Sequence, residues 1–245
     1  MGILNLTPDS FYAPSRGNLR ILRSGADIVD IGAVSTRPGA DPVSLEEEWR
    51  RLEPVLGTLP EGLCFSVDTT RAEIVRRTFD LAGPFIVNDI SAGEDDPDML
   101  PTVGELGLEY IAMHKRGDPR TMDGLAQYDD VVDTLKRYFE DFAEKAERHG
   151  IRSWILDPGL GFAKTPAQCF EIIDRLAELR MDGHPILIGA ADKRFTGGHT
   201  EEVHLRALRH GADILRVHDV KRARRTVRLF EKGMADQAGH DDIIR

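Results

Sequence analysis

Short apolar runs rich in valine, isoleucine and leucine recur eight times along the chain, separated by longer polar stretches with helical spacing. The runs cover residues 1–4, 28–31, 64–67, 85–87, 110–113, 154–156, 186–188 and 214–217. They lack the strict alternation of a half-exposed strand, and so predict strands covered on both faces, as in a parallel sheet. The stretches 45–56, 71–81, 131–149, 167–179 and 201–210 are amphipathic and predict helices. Strand then helix, eight times over in 245 residues, is the rhythm and size of a (β/α)8 barrel: an α/β fold in a single domain, residues 1–245. Gly25 and Gly211 each stand between a helical stretch and a run, where a left-handed residue ends a helix. From about Met234 the chain reads as a fraying polar tail.

Each run gives way to a polar residue. In order these are Asn5, Asp30, Asp68, Asn88 with Asp89, His114, Asp157, Lys193, and Arg216 with His218. In a barrel all strand ends converge on one face, which carries the active site. Side chains more than two hundred positions apart are therefore expected around one pocket.

Two chemistries are legible in that set. The turn Ser35-Thr36-Arg37-Pro38-Gly39, together with Arg216 and His218 alternating on the last run, suits a phosphate or pyrophosphate. Ordinary ion pairs of Arg216 with Asp27, Asp30 or Asp219 are the competing reading. Asp68, Asn88 and Asp157 offer acceptors plus one amide, which suits a heterocycle edge bearing N–H groups, with Met113 and Phe162 as apolar walls. Asp157-Pro158-Gly159 is equally a simple turn.

Asn5 and Asp9 flank the first turn and are candidate ligands for a magnesium ion that keeps most of its waters. No zinc spacing occurs; His199 and His204 read as surface residues, and residues 94–98 as an acidic turn capping the next helix. The segment Gly159-Leu160-Gly161-Phe162-Ala163-Lys164-Thr165 ends like a phosphate loop but lacks its spacer and the glycine before lysine. The cluster Lys221, Arg222, Arg224, Arg225 and Arg228 reads as a solvated helix face, with part of an oligomer contact as the alternative.

A formal net charge of −10 argues against nucleic-acid binding, which needs a basic surface. Only two cysteines, Cys64 and Cys169, no apolar run near eighteen residues and no basic-then-apolar start predict a cytoplasmic protein without membrane span or signal peptide.

The motifs together resemble the dihydropteroate synthase family, the pterin-binding TIM barrels of folate biosynthesis. Carrying the resemblance are Met1-Gly2-Ile3-Leu4-Asn5-Leu6-Thr7-Pro8-Asp9-Ser10-Phe11, Asp30-Ile31-Gly32 with the Ser35–Gly39 turn, Ser66-Val67-Asp68-Thr69, and Asn88-Asp89-Ile90-Ser91. Met113-His114, Leu156-Asp157-Pro158-Gly159-Leu160-Gly161-Phe162 and Arg216-Val217-His218-Asp219-Val220 complete it, nearly end to end.

The resemblance implies condensation of 6-hydroxymethyl-7,8-dihydropterin pyrophosphate with p-aminobenzoate, giving 7,8-dihydropteroate and pyrophosphate. It implies a catalytic set of Lys193, Arg216, His218 and Asp68. Asp68, Asn88, Asp157 and Lys193 would hold the pterin, with Met113 and Phe162 on its ring. Asn5, Thr36, Arg37, Arg216 and His218 would hold the pyrophosphate, Asn5 also placing Mg2+. Thr36, Arg37, Pro38, Phe162 and Ala191 would shape the p-aminobenzoate pocket, and sulfonamides would compete there. A homodimer through late helices is implied as well.

Three features depart from the family pattern. Ala191-Asp192-Lys193 stands where Ser-Arg-Lys is usual, so a hydroxyl is lost and a cation becomes an anion beside the p-aminobenzoate pocket. The stretches 12–24 and 195–200 are shorter than the usual loops, and Val34 replaces a common glutamate. Two other readings remain: a pterin-binding paralogue without synthase activity, motivated by Ala191 and Asp192, and a methyltetrahydrofolate methyltransferase, against which the pyrophosphate-suited set speaks.

Overall fold

All eight apolar runs form strands. In a computed structural model describing residues 1–7, 18–34, 43–117, 121–191 and 193–241, they are β1 Gly2–Asn5, β2 Val29–Gly32, β3 Phe65–Asp68, β4 Ile86–Asp89, β5 Glu109–Met113, β6 Trp154–Asp157, β7 Leu187–Ile188 and β8 Ile214–Leu215. β1 to β6 pair in sequence order, all parallel, and β7 pairs parallel with β8. Single parallel bridges, Leu156 to Ile186 and Gly2 to Val217, join the two sheets and close the ring. The closing bonds are Leu156 N to Pro185 O at 2.9 Å, Ile3 N to Val217 O at 2.9 Å and Val217 N to Met1 O at 3.0 Å. Among the described residues the result is the expected (β/α)8 barrel.

Alternation along each strand sorts side chains to the two faces. Met1, Ile86, Ile111, Ile155 and Leu187, with Ile28 and Ile214 packed on them, form an apolar plug inside the barrel. The opposite faces bury Val29, Ile31, Val67, Val87, Tyr110, Trp154, Leu156 and Ile188 under the helices. Parallel strands buried this way need no polar face, which is why the runs read as nearly continuous.

The helices are α1 Leu45–Leu56, α2 Ala72–Ala82, α3 Met99–Leu106, α4 Val131–Arg148, α5 Pro166–Asp174, α6 Thr200–Arg209 and α7 Val220–Asp241. Ser44 and Asp130 cap α1 and α4 by accepting from Glu47 N and Asp133 N at 3.2 and 2.9 Å. Along α4 the buried stripe Val132, Leu135, Phe139, Phe142 and Ala146 covers β5 and β6, with Phe142 against Tyr110 and Trp154.

Some expectations change. Among its described residues the first crossover carries a 3-10 helix, Asn18–Arg23. α5 stops at Asp174, and a 3-10 helix, Leu176–Leu179, finishes the predicted stretch. α3 is the helix expected after the acidic turn, but its bounds are not legible, because Pro101 and Gly104 break its pattern. Gly104 is nonetheless required, since a Cβ there would lie 1.7 Å from His149 O. α7 continues through the expected tail as far as Asp241. His204 is buried rather than on the surface, since Val203, His204, Ala207 and Leu208 form the inner stripe of α6. The acidic turn serves two helices: Asp96 Oδ2 accepts from Ala72 N at 2.8 Å at the start of α2, while Asp96 Oδ1 accepts from Asp98 N at 3.0 Å and Asp96 O from Met99 N at 3.1 Å at the start of α3.

Candidate active site

Above the apolar plug, inward side chains from three strands, β2, β3 and β4, and from the end of β8 meet in one hydrogen-bonded set. Asp30, fully buried on β2, accepts from Ser66 Oγ at 2.5 Å, Asn88 Nδ2 at 3.1 Å and Arg216 Nε at 2.7 Å. Arg216 Nη2 reaches Asp68 Oδ2 at 2.7 Å. One edge of the guanidinium is thus fixed between two carboxylates, and the N–H groups of Nη1 remain unpaired among the described residues. Of the ion pairs the sequence left open, the one with Asp30 forms, and Asp68 joins it; Asp27 is near Arg224 instead, at 3.4 Å.

Charge in this set is controlled by burial. Desolvation pushes the Asp68 carboxyl up to about 7 against the pull of Arg216, with Asp30, Asp89 and Glu48 adding repulsion. Burial opposes the charge on Arg216, but Asp30 and Asp68 outweigh it and hold the guanidinium above its ordinary value. Asp157, at the end of β6, is also raised by burial, opposed by Gly159 N–H and by Lys193. Its Oδ1 accepts from Gly159 N at 2.8 Å, which is the turn reading of Asp-Pro-Gly. Its Oδ2 has no partner among the described residues, so the turn and ligand readings coexist.

The walls come from two neighbouring strand ends. Met113 pairs in register with Asp157 and is buried. Phe162 stands in the loop after β6, and Lys193 Nζ lies 4.8 Å from its ring centroid while donating to Leu160 O. Burial lowers the Lys193 ammonium to about 8, with Asp157 pulling the other way. Ala191 is partly buried two residues before it. Asn5 ends β1, its Oδ1 accepting from Thr7 N at 3.0 Å. His218 is exposed just beyond β8. Thr36, Arg37, Pro38, Asp9 and Asp192 lie outside the described residues.

Two polar strand-end residues face away from the barrel interior. Asp89 follows the inward Asn88, so alternation turns it outward. It accepts from Ser91 N, Ser91 Oγ, Gly93 N and Tyr110 Oη, all within 2.8 Å. His114 follows the inward Met113 and packs edge-on to Tyr138, centroids 4.8 Å apart. Both correct the expectation that every run ends in a pocket residue, and the two-residue period of a strand is the signal that separates them.

Sequence reasoning also passes over Lys164, which belongs to the phosphate-loop look-alike. The side chain is buried and contacts His114 and the Phe162 carbonyl.

No group of three or more His, Cys, Asp or Glu side chains among the described residues could hold a metal. The amide oxygen of Asn5 keeps one lone pair beyond its bond to Thr7 N, enough to serve as one ligand of an ion whose other ligands are water and substrate oxygens. Chemically, the rim presents carboxylate and amide groups for a nitrogen-rich ring, apolar walls for its faces, and the free end of a fixed arginine for an anion.

The sequence profile of the pterin binding enzymes matches residues 1–218. A dihydropteroate synthase of a Synechocystis species is 39% identical, the match covering 90% of this chain and 85% of the relative. The solved Yersinia pestis dihydropteroate synthase, in a sulfonamide drug complex, superposes with a TM-score of 0.88 at 32% identity, covering 96% of this chain and 94% of that one. The Thermus thermophilus enzyme, in complex with 4-aminobenzoate, gives 0.84 at 37% identity over 95% and 93% of the two chains.

Proposed function

The chain belongs to the dihydropteroate synthase family of pterin-binding enzymes, and from that membership we propose how its barrel rim divides the work of the reaction. It is a transferase of folate synthesis, joining a dihydropterin carried as its pyrophosphate to p-aminobenzoate, with loss of pyrophosphate. Asp157 and Asn88 accept from and donate to the pterin edge, Lys193 holds it from the other side, and Met113 and Phe162 enclose its faces. Arg216, kept in place by Asp30 and Asp68, turns Nη1 to the pyrophosphate, joined by His218 and by Thr36 and Arg37. Thr36, Arg37, Pro38, Phe162 and Ala191 line the p-aminobenzoate pocket.

The carbon–oxygen bond to pyrophosphate breaks as negative charge grows on the leaving oxygens, and a fixed cation there lowers the barrier. The electron-rich ring spreads the positive charge left on the methylene carbon. The arylamine, neutral at pH 7, then forms the new carbon–nitrogen bond and sheds a proton, so no strong base is needed. Asn5 would hold a magnesium ion, which would supply further neutralisation of the leaving group.

The observation that carries the reading is the fixed edge of Arg216, which ties an anion-ready guanidinium to the same rim as Asn88, Asp68 and Asp157. The test is magnesium-dependent formation of dihydropteroate from the pterin pyrophosphate and labelled p-aminobenzoate. Product requiring both substrates supports it. Folded protein that binds the pterin but makes no product would instead mark a binding paralogue, and Asp192 would be the residue to revert. In an active enzyme, D192R is expected to lower the KM for p-aminobenzoate several-fold by removing carboxylate repulsion, leaving the pterin KM unchanged; steady-state kinetics checks it.

A cytoplasmic setting and a homodimer belong to the same proposal. Both cysteines are free, and no described helix is long and apolar enough to cross a membrane. Leu229 and Met234 on α7 are exposed apolar groups that a second copy would cover.

A further inference from the structure

The segment that ends like a phosphate loop does something else. Its backbone turns left-handed three times, at Gly159 (φ 65°), Gly161 (φ 79°) and Ala163 (φ 50°). Glycine accepts that conformation freely, but alanine does so only where the surroundings impose it. The residue after Ala163 shows what imposes it. Lys164 points back under the loop, where Nζ meets His114 Nδ1 at 2.9 Å, Phe162 O at 3.0 Å and His114 O at 3.4 Å. An ammonium has three N–H donors, and three acceptors surround this one. The backbone below leaves no slack: a Cβ on Gly159 would stand 2.1 Å from His114 O.

We propose that Lys164 is a positioning residue for the pterin site, locking the end of β5 to the loop after β6 so that Met113 and Phe162 keep a fixed gap. The proposal rests on Met113 and Phe162 being the walls of the pterin subsite. Lys164 itself touches no substrate in this scheme. It holds the carbonyl of Phe162 and both polar groups of the residue following Met113. Lys193 grips the same loop from the opposite side through Leu160 O, so the loop is held at two points.

The clamp has a charge state. Burial lowers the Lys164 ammonium to about 7, Cys169 and Asp157 raising it and Lys193 and Arg116 lowering it further. Burial, with Lys164 and Arg116, pushes the His114 imidazole down to about 2, so it stays a neutral acceptor. The other aromatic groups facing that ring are Tyr128 and Tyr138. Loss of the Lys164 proton exchanges charge-assisted bonds for weaker neutral ones, so the clamp loosens as pH rises through neutrality.

The test is K164M, which keeps most of the side-chain volume and removes all three donors. The expected result is a rise of tenfold or more in the KM for the pterin pyrophosphate. The KM for p-aminobenzoate and kcat should stay within about threefold. Between pH 6 and 8.5 the wild-type pterin KM should climb two- to fivefold more than that of K164M, the rise that remains in K164M belonging to Lys193 and Asp68. A general loss of active protein, with the pterin KM unchanged or with both KM values rising together, would overturn the proposal. H114F keeps the aromatic packing and deletes one acceptor; if K164M does not fold, H114F must still raise the pterin KM selectively, and an unchanged value overturns the idea. Failure of the wild-type protein to make product contradicts the proposed function instead, so the two failures are distinct.

Discussion

In the proposed scheme Arg216 is the residue on which the pyrophosphate chemistry turns, because two carboxylates fix one edge of its guanidinium and leave the other free. R216M is therefore expected to lower kcat/KM by about a hundredfold to a thousandfold, the range for removing one stabilising group from a developing anion. Affinity for a pterin lacking the pyrophosphate, followed by calorimetry, should change less than threefold; equal losses in both would contradict the role. Asp68 carries a different prediction. Its carboxyl is raised to about 7, chiefly by burial, so the folded state prefers the protonated form. That preference contributes stability below the unfolded value near 4 and is lost as pH rises towards about 7. D68N should thus stabilise the fold at pH 8, by about 1–3 kcal/mol, and give no gain at pH 4. Arg216 keeps Asp30 as its counter-ion in that variant. Thermal melts at the two pH values check the sign, and reduced turnover in D68N would show stability given up for function.

At the scale of elements, the strands are legible in the sequence and the crossovers only partly so. A run such as 154–156 has no polar alternative to burial, and the structure extends it by one residue to Asp157. The bounds of α3 are illegible because its pattern contains Pro101 and Gly104, and the reason for Gly104 is the His149 carbonyl, over forty residues away. The same limit applies to the site. Asp68, Asn88, Asp157 and Arg216 stand in or next to strand ends and can be placed by topology alone. Lys164 cannot, since its role depends on the left-handed turn at Ala163 folding it back towards β5. The loop after β6 is accordingly the element most sensitive to small changes. At Gly183, also left-handed (φ 82°) but in open space, a Cβ costs only the conformational term, about 1–2 kcal/mol. G159A adds a collision with the His114 carbonyl and is expected to cost about 2–5 kcal/mol. Denaturant melts of both variants test this ordering, and a G159A as mild as G183A would mean that the β5–β6 junction is slack.

The whole barrel is unevenly closed. From β1 to β6 each strand pairs with the next over three or four residues. β7 and β8 share only a two-residue register, and a single bridge joins each to the rest. The apolar side chains at these joints are buried like those of the other strands, so the difference lies in the hydrogen-bond ladder. Local opening is therefore expected at this seam well below the free energy of global unfolding. The amides of Leu156, Ile214, Arg216 and Val217, which bond across or within the seam, should exchange at least tenfold faster than those of Val67 and Val87 in the absence of ligand. The proposed substrate subsites straddle the same joint: Lys193 and Arg216 follow β7 and β8, whereas Asp68, Asn88 and Asp157 belong to the long sheet. A pterin pyrophosphate analogue bound across both parts is available only to the closed ring, so mass action favours closure, by about 2.7 kcal/mol at a hundred times its Kd. Seam amides should then slow more than those of β3 and β4. Uniform protection across all eight strands would show instead that the barrel opens as one unit and that the ligand reads a ring already closed.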